Sequence, residues 1–101
     1  MKELQQAEVN EKMANNFSVF YFYTPLCGTC KMATKMITVV EQLIHDVGFF
    51  ACNINTMPEI TNQLKIKSVP YLVLIDHGEV IADVYAFKSV GDIYQLIKSH
   101  V

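Results

Sequence analysis

Phe17-Ser18-Val19-Phe20-Tyr21-Phe22-Tyr23-Thr24-Pro25-Leu26-Cys27-Gly28-Thr29-Cys30 is the stretch on which the reading turns. The aromatic and β-branched run Phe17 to Tyr23 predicts a strand, and its near-continuous apolarity predicts burial on both faces. Thr24-Pro25-Leu26 breaks it. Beyond Gly28, apolar residues recur at three- and four-residue steps (Met32, Met36, Val40, Leu43, Ile44, Val47), which predicts a helix to about Val47 with Gly48 as its stop. Two cysteines, two residues apart, therefore stand where a strand gives way to a helix. That spacing lets the sulfurs join in an intramolecular disulfide. The junction offers the first sulfur unpaired backbone N–H groups and the positive end of the helix dipole. Both favour the thiolate, the form that attacks disulfides. A Cys-x-x-Cys beside a β-α-β pattern in an intracellular chain reads as a redox motif.

Working outward, residues 2 to 15 are helix-forming in composition, with Leu4, Ala7 and Ala14 as a thin apolar stripe. Phe49 to Ile54 predicts a second buried strand. Thr56-Met57-Pro58-Glu59 has the form of a capping box for a short helix, with Pro58 in its first turn and Ile60 and Leu64 facing the core. Tyr71 to Ile75 and Val80 to Tyr85 predict two strands joined by a tight turn at His77-Gly78. Ser89 with Asp92 can cap a last helix whose inner face is Ile93, Leu96 and Ile97.

The 101 residues are expected to form a single domain, 1–101, with enough apolar sequence for one core. Hydrophobic residues make up 51% and charged residues 18%, a globular balance, and the net charge is −2. No basic stripe interleaves with aromatics, so nucleic acid is not an expected partner. The first sixteen residues lack the apolar core of a secretory signal, and no apolar run reaches membrane-spanning length. Three cysteines without an export signal point to the reducing cytoplasm, where a disulfide is transient and catalytic.

The element order, the Cys27-Gly28-Thr29-Cys30 dithiol at the head of the long helix, Asn53-Ile54-Asn55 after the second strand and Ser68-Val69-Pro70-Tyr71 leading into a hairpin together resemble a thioredoxin. The likeness spans essentially the whole chain. It implies an α/β, thioredoxin-like fold with a central four-stranded mixed sheet flanked by helices on both faces. The strand order would be second, first, third, fourth, with an N-terminal edge strand absent or very short. It also implies a cis bond before Pro70, and a Val69 backbone that pairs with an extended substrate segment.

By the same resemblance, Cys27 is the nucleophile and Cys30 the resolving thiol. Leu26, Gly28 and Thr29 form the active-site loop, and Val69 and Pro70 form the substrate-binding edge. Gly28 is expected to let the backbone turn closely around the sulfur, and the Thr29 hydroxyl to donate to Cys27. The implied activity is reduction of protein disulfides by a monomer that needs no bound cofactor, recharged by thioredoxin reductase. Three departures stand out: Tyr21 where many thioredoxins bury an aspartate, Ala51 where a lysine often lies, and Leu26 where a tryptophan is usual. With no carboxylate below the site, a reductase slower than a typical thioredoxin is expected.

Other readings carry less weight. A zinc site needs four ligands, and only Cys52 and three histidines remain beside the dithiol. His45 is fifteen residues past Cys30, about 22 Å along a helix axis, His77 sits in a turn and His100 is terminal, so no metal is expected. Cys52 reads as a small buried hydrophobe. Two functional alternatives are a redox-weak binding module of the same fold, and a reductase of low-molecular-weight thiol adducts. The intact dithiol opposes the first. The second lacks a cationic cluster near the motif, where Lys31 stands alone.

Overall fold

A computed structural model describes residues 1–101. In chain order the elements are β1 (Lys2–Glu3), α1 (Gln6–Ala14), β2 (Ser18–Tyr23), α2 (Gly28–Leu43), β3 (Gly48–Asn53), a 3₁₀ turn (Ile54–Thr56), α3 (Pro58–Gln63), β4 (Tyr71–Asp76), β5 (Glu79–Val84) and α4 (Val90–Lys98). They build one sheet in the order β1-β3-β2-β4-β5. The β1/β3 and β2/β3 pairs are parallel, and the β2/β4 and β4/β5 pairs antiparallel.

The sheet has five strands rather than the four expected. The extra one pairs Lys2 with Phe50 and Glu3 with Ala51, and Leu4 N–H donates to the Ala51 carbonyl at 2.9 Å. Two polar residues at an exposed edge leave no period-2 signature, so this strand was invisible to patterning. It also shortens the expected first helix, which starts at Gln6; the Gln5 amide donates to the Glu8 carboxylate at 2.9 Å. The buried residues here are Leu4, Val9 and Met13, not Ala7 and Ala14.

Alternation along the central strands divides the core in two. Val19 and Tyr21 of β2, Phe49 and Ala51 of β3, and Leu72 and Leu74 of β4 face α2 and α4, which contribute Ala33, Ile37, Val40, Ile93 and Ile97. Phe20, Phe22, Phe50, Cys52, Tyr71, Val73 and Ile75 face α1 and α3, meeting Val9, Met13 and Ile60. Both faces of the sheet are thus covered, which is why the strands read as continuous apolar runs. Burying a side chain such as Ile37, which is fully enclosed, is worth about 2–3 kcal/mol.

Three local expectations change. Helix α2 ends at Leu43, and the reversal into β3 is made by Asp46 at φ 68°, a conformation that Asp tolerates. Gly48 opens β3 instead of stopping the helix, because a Cβ there would lie 2.8 Å from the Phe50 ring. Thr56 does not cap α3: its hydroxyl donates to the Asn53 carbonyl at 3.0 Å, and Met57 takes the cap position with Pro58 in the first turn. The hairpin and the last helix form as read. His77 and Gly78 both have positive φ in the β4–β5 turn, and Ser89 Oγ accepts the Asp92 amide at 3.1 Å.

Candidate active site

The parallel β2–α2 unit places the dithiol at the carboxyl end of the sheet's central strand. Cys27 is the N-cap of α2, with extended backbone (φ −92°, ψ 112°), and its Sγ accepts the Cys30 amide at 3.1 Å. The sulfur thus takes the place that a Ser or Asp oxygen usually fills at a helix start, where backbone N–H groups and the dipole favour negative charge. Cys27 and Cys30 form a disulfide with Cα atoms 5.2 Å apart, within the usual range. Cys27 is half-buried and Cys30 is 3% exposed, so an incoming group meets Cys27 first.

The loop residues divide by role. Leu26 is 97% exposed, an apolar side chain held out beside the sulfur. Thr29 Oγ1 lies 3.3 Å from Cys27 Sγ, close enough for the expected hydroxyl contact. Beyond its two chain neighbours, a Cβ at Gly28 would meet nothing within 4 Å, so no other part of the fold crowds this position. Its lack of a side chain leaves the approach to Cys27 open.

Opposite the dithiol, the Val69–Pro70 bond is cis, and the Val69 carbonyl oxygen lies 3.9 Å from Cys27 Sγ. An apolar groove of about 340 Å³ runs from Thr29 and Pro70 between Met32 and Met36 of α2 and the aromatic rings of Tyr85 and Phe87. Of these, Tyr85 and Phe87 were not singled out from the sequence. Phe87, a buried aromatic in the β5–α4 connection, was the available signal. Tyr71 lies in the core and not in the groove: it is 3% exposed, its ring stacks on Tyr85 at 4.4 Å, and its hydroxyl donates to Asp83 at 2.8 Å. The Tyr85 hydroxyl in turn accepts the Lys67 amide at 3.2 Å, tying the residue that follows β5 to the loop that carries Val69.

Beneath the dithiol lies Tyr21, 1% exposed. Its hydroxyl donates to the Cys30 carbonyl at 2.8 Å and accepts from Thr34 Oγ1 at 3.0 Å. Burial raises its pKa above the ordinary 10.0, an effect only partly offset by Thr34, so the phenol stays protonated at neutral pH. Cys52 is fully buried on the other face of the sheet, and burial, with a smaller contribution from the Glu3 charge, pushes its thiol up to about 12. It is the one cysteine outside the disulfide. No three His, Cys, Asp or Glu side chains converge anywhere in the fold, and no helix is long and apolar enough to cross a membrane.

Comparison with known proteins agrees with this arrangement. The thioredoxin family model matches residues 1–99. The thioredoxin-like protein YusE of Bacillus subtilis is 42% identical over 98 residues, covering 97% of this chain and 92% of its own. A thioredoxin of Chlamydia caviae is 26% identical over 100 residues, covering 99% and 98%. Among solved structures, thioredoxin f2 of Chlamydomonas reinhardtii superposes with a TM-score of 0.88 at 27% identity, covering 99% of this chain and 95% of that one.

Proposed function

This chain belongs to the thioredoxin family, and from that membership we propose that it is a protein-disulfide reductase that works by a mixed disulfide. The observation that carries the proposal is the position of Cys27 Sγ. It caps α2, accepts the Cys30 amide, faces the Val69 carbonyl and has its disulfide partner enclosed behind it.

The reaction begins with the Cys27 thiolate attacking one sulfur of a substrate disulfide. A Cys27–substrate disulfide forms, and the second substrate sulfur leaves as a thiolate that takes a proton. Cys30 then loses its proton and attacks Cys27. The Cys27–Cys30 disulfide closes and the remaining substrate sulfur departs reduced, so two electrons pass from the dithiol to the substrate. The half-buried Val69, facing Cys27, suits backbone pairing with an extended segment of the substrate, and the groove beyond Pro70 suits its apolar side chains.

In this reading the protein is a cytoplasmic monomer whose disulfide is reopened by thioredoxin reductase, with protein disulfides as substrates. The ring-closing step is slower than in a typical thioredoxin, because the polar side chains hydrogen-bonded below Cys30 are the neutral hydroxyls of Tyr21 and Thr34 rather than a carboxylate.

A Cys30→Ser variant tests the reading. It accumulates covalent adducts with disulfide-bearing proteins, each cleaved by dithiothreitol and each absent from the Cys27→Ser/Cys30→Ser double variant. Partners captured equally by the double variant would instead mark a non-covalent binding module. Faster removal of glutathione-type adducts than reduction of insulin would make small thiols the substrates.

A further inference from the structure

The steps of the proposed chemistry give the buried hydroxyl of Tyr21 no part in bond making or breaking. Tyr21 is among the largest fully enclosed residues, and it carries a hydroxyl into a cluster that is otherwise almost wholly apolar. That hydroxyl is the middle of a three-part chain. Thr34 Oγ1, on the exposed side of α2, donates to Tyr21 (3.0 Å), and Tyr21 donates to the carbonyl of Cys30 (2.8 Å). The ring is held between Tyr23 (centroids 5.8 Å apart) and Phe87 (6.0 Å), so the hydroxyl has little freedom to move away. The central strand is therefore fastened to the turn that carries both sulfurs.

We infer that Tyr21 is a positioning residue for the resolving sulfur. By pinning the Cys30 carbonyl it fixes the first turn of α2, and so holds Cys30 Sγ in line with the Cys27–substrate bond. The role rests on the reading of Cys27 as the attacking and Cys30 as the resolving thiol. Ring closure needs the Cys30 sulfur behind Cys27 on the axis of the breaking bond, and small misplacements of reacting atoms cost large factors in rate. Initial attack by Cys27 on an external disulfide draws on the Cys30 amide, which donates to Cys27 Sγ at 3.1 Å, but not on where the Cys30 sulfur sits.

Tyr21 acts here as a donor and not as a base, since burial keeps its proton in place. The charged groups around it are engaged elsewhere. A polar recess beside the ring is bounded by Met1, Glu3, Tyr23, Thr34, Thr38 and Ala51. Within it the Glu3 carboxylate accepts from Tyr23 at 2.8 Å, and the Met1 amino group pairs with Glu41 at 2.8 Å. Neither hydrogen-bonds the Tyr21 hydroxyl.

The test separates the two steps in Tyr21→Phe, which keeps the ring and its aromatic neighbours and removes only the hydroxyl. Stopped-flow mixing of reduced protein with a peptide disulfide bearing a reporter thiol gives a second-order attack and a first-order release. The expected result is release slowed about tenfold, as a modest misplacement implies. Attack should stay within about twofold of wild type, with the pH midpoint of Cys27 alkylation unmoved. Thr34→Val, on the exposed face of α2, should slow release about two- to threefold, and it decides the matter alone if Tyr21→Phe does not fold. Wild-type release in the folded variants, or equal slowing of attack and release, would overturn the role. A wild-type chain that never forms the mixed disulfide sinks the proposed reaction and this role with it, whereas a wild type that turns over beside an unimpaired Tyr21→Phe sinks this role alone.

Discussion

Raising the pH of the reduced protein probes the sheet from inside, through Cys52. Its thiol is fully enclosed among the side chains under α1 and α3, and it titrates at about 12 instead of its ordinary 9.0. The folded state therefore favours the protonated thiol, and the stability this confers is complete below pH 9. Above that, the unfolded chain releases the proton while the native chain keeps it. Each further pH step then lowers stability by about 1.4 kcal/mol until the native thiol ionises near 12, roughly 4 kcal/mol in all. Replacing Cys52 by Ala removes this slope, at a cost near neutrality of about 1 kcal/mol for the small void left by the sulfur. Urea unfolding followed by far-ultraviolet circular dichroism, with a phosphine reductant from pH 7 to 11, compares the two proteins. Tyr23, whose rise to about 12 includes a small contribution from Cys52, keeps its proton in the folded state over most of this range, so the difference between the two proteins reads mainly Cys52. The stability curves should cross between pH 9 and 11: the variant starts lower and, by pH 11, has lost about 3 kcal/mol less than wild type. Parallel curves that never cross would refute the argument, since an accessible Cys52 would ionise equally in both states.

Gly48→Ala should destabilise the fold by about 1–3 kcal/mol in chemical denaturation, because the added methyl would sit 2.8 Å from a Phe50 ring already stacked on Phe20. Tyr85→Phe keeps the stack on Tyr71 but strands the Lys67 amide; stability falls by under about 1 kcal/mol, while hydrogen exchange at Lys67 becomes markedly faster, and an unchanged exchange rate would show that the tie does not hold the loop.

Much of the architecture could be read from residue patterns because its elements are internally consistent. The central strands alternate between two cores and are apolar throughout; the His77-Gly78 turn and the Ser89 cap announce themselves by residue type. The dithiol was legible for the same reason, since spacing, strand end and helix start coincide at Cys27. What escaped was non-local. Strand β1 exists only because β3 offers it an edge, and nothing in Lys2-Glu3 encodes that.

The inner face of α2 was misassigned in an instructive way. Two apolar stripes with the same three- and four-residue spacing run along this helix, offset by about one position. Cys30, Ala33, Ile37, Val40 and Ile44 are buried, whereas Met32, Val39 and Leu43 are 58%, 43% and 56% exposed. Stepping by three and four residues from Met32 through Met36 to Leu43 passes over Ala33 and Ile37, so the period alone draws the stripe partly along the wrong side. Contact with the sheet demands something else near the dithiol, which is small size. Tyr21 projects from β2 with Ala51 as its register partner on β3, and Ala33 belongs to the same cluster. The phenol reaches the Cys30 carbonyl at 2.8 Å in a cluster that pairs two small residues, Ala51 and Ala33, with the larger Leu72, Tyr23 and Phe87 on its other sides. The large residue on the strand and the small ones around it form one packing unit. Their joint occurrence, rather than the apolar period of the helix, is the sequence feature that marks the floor of the site.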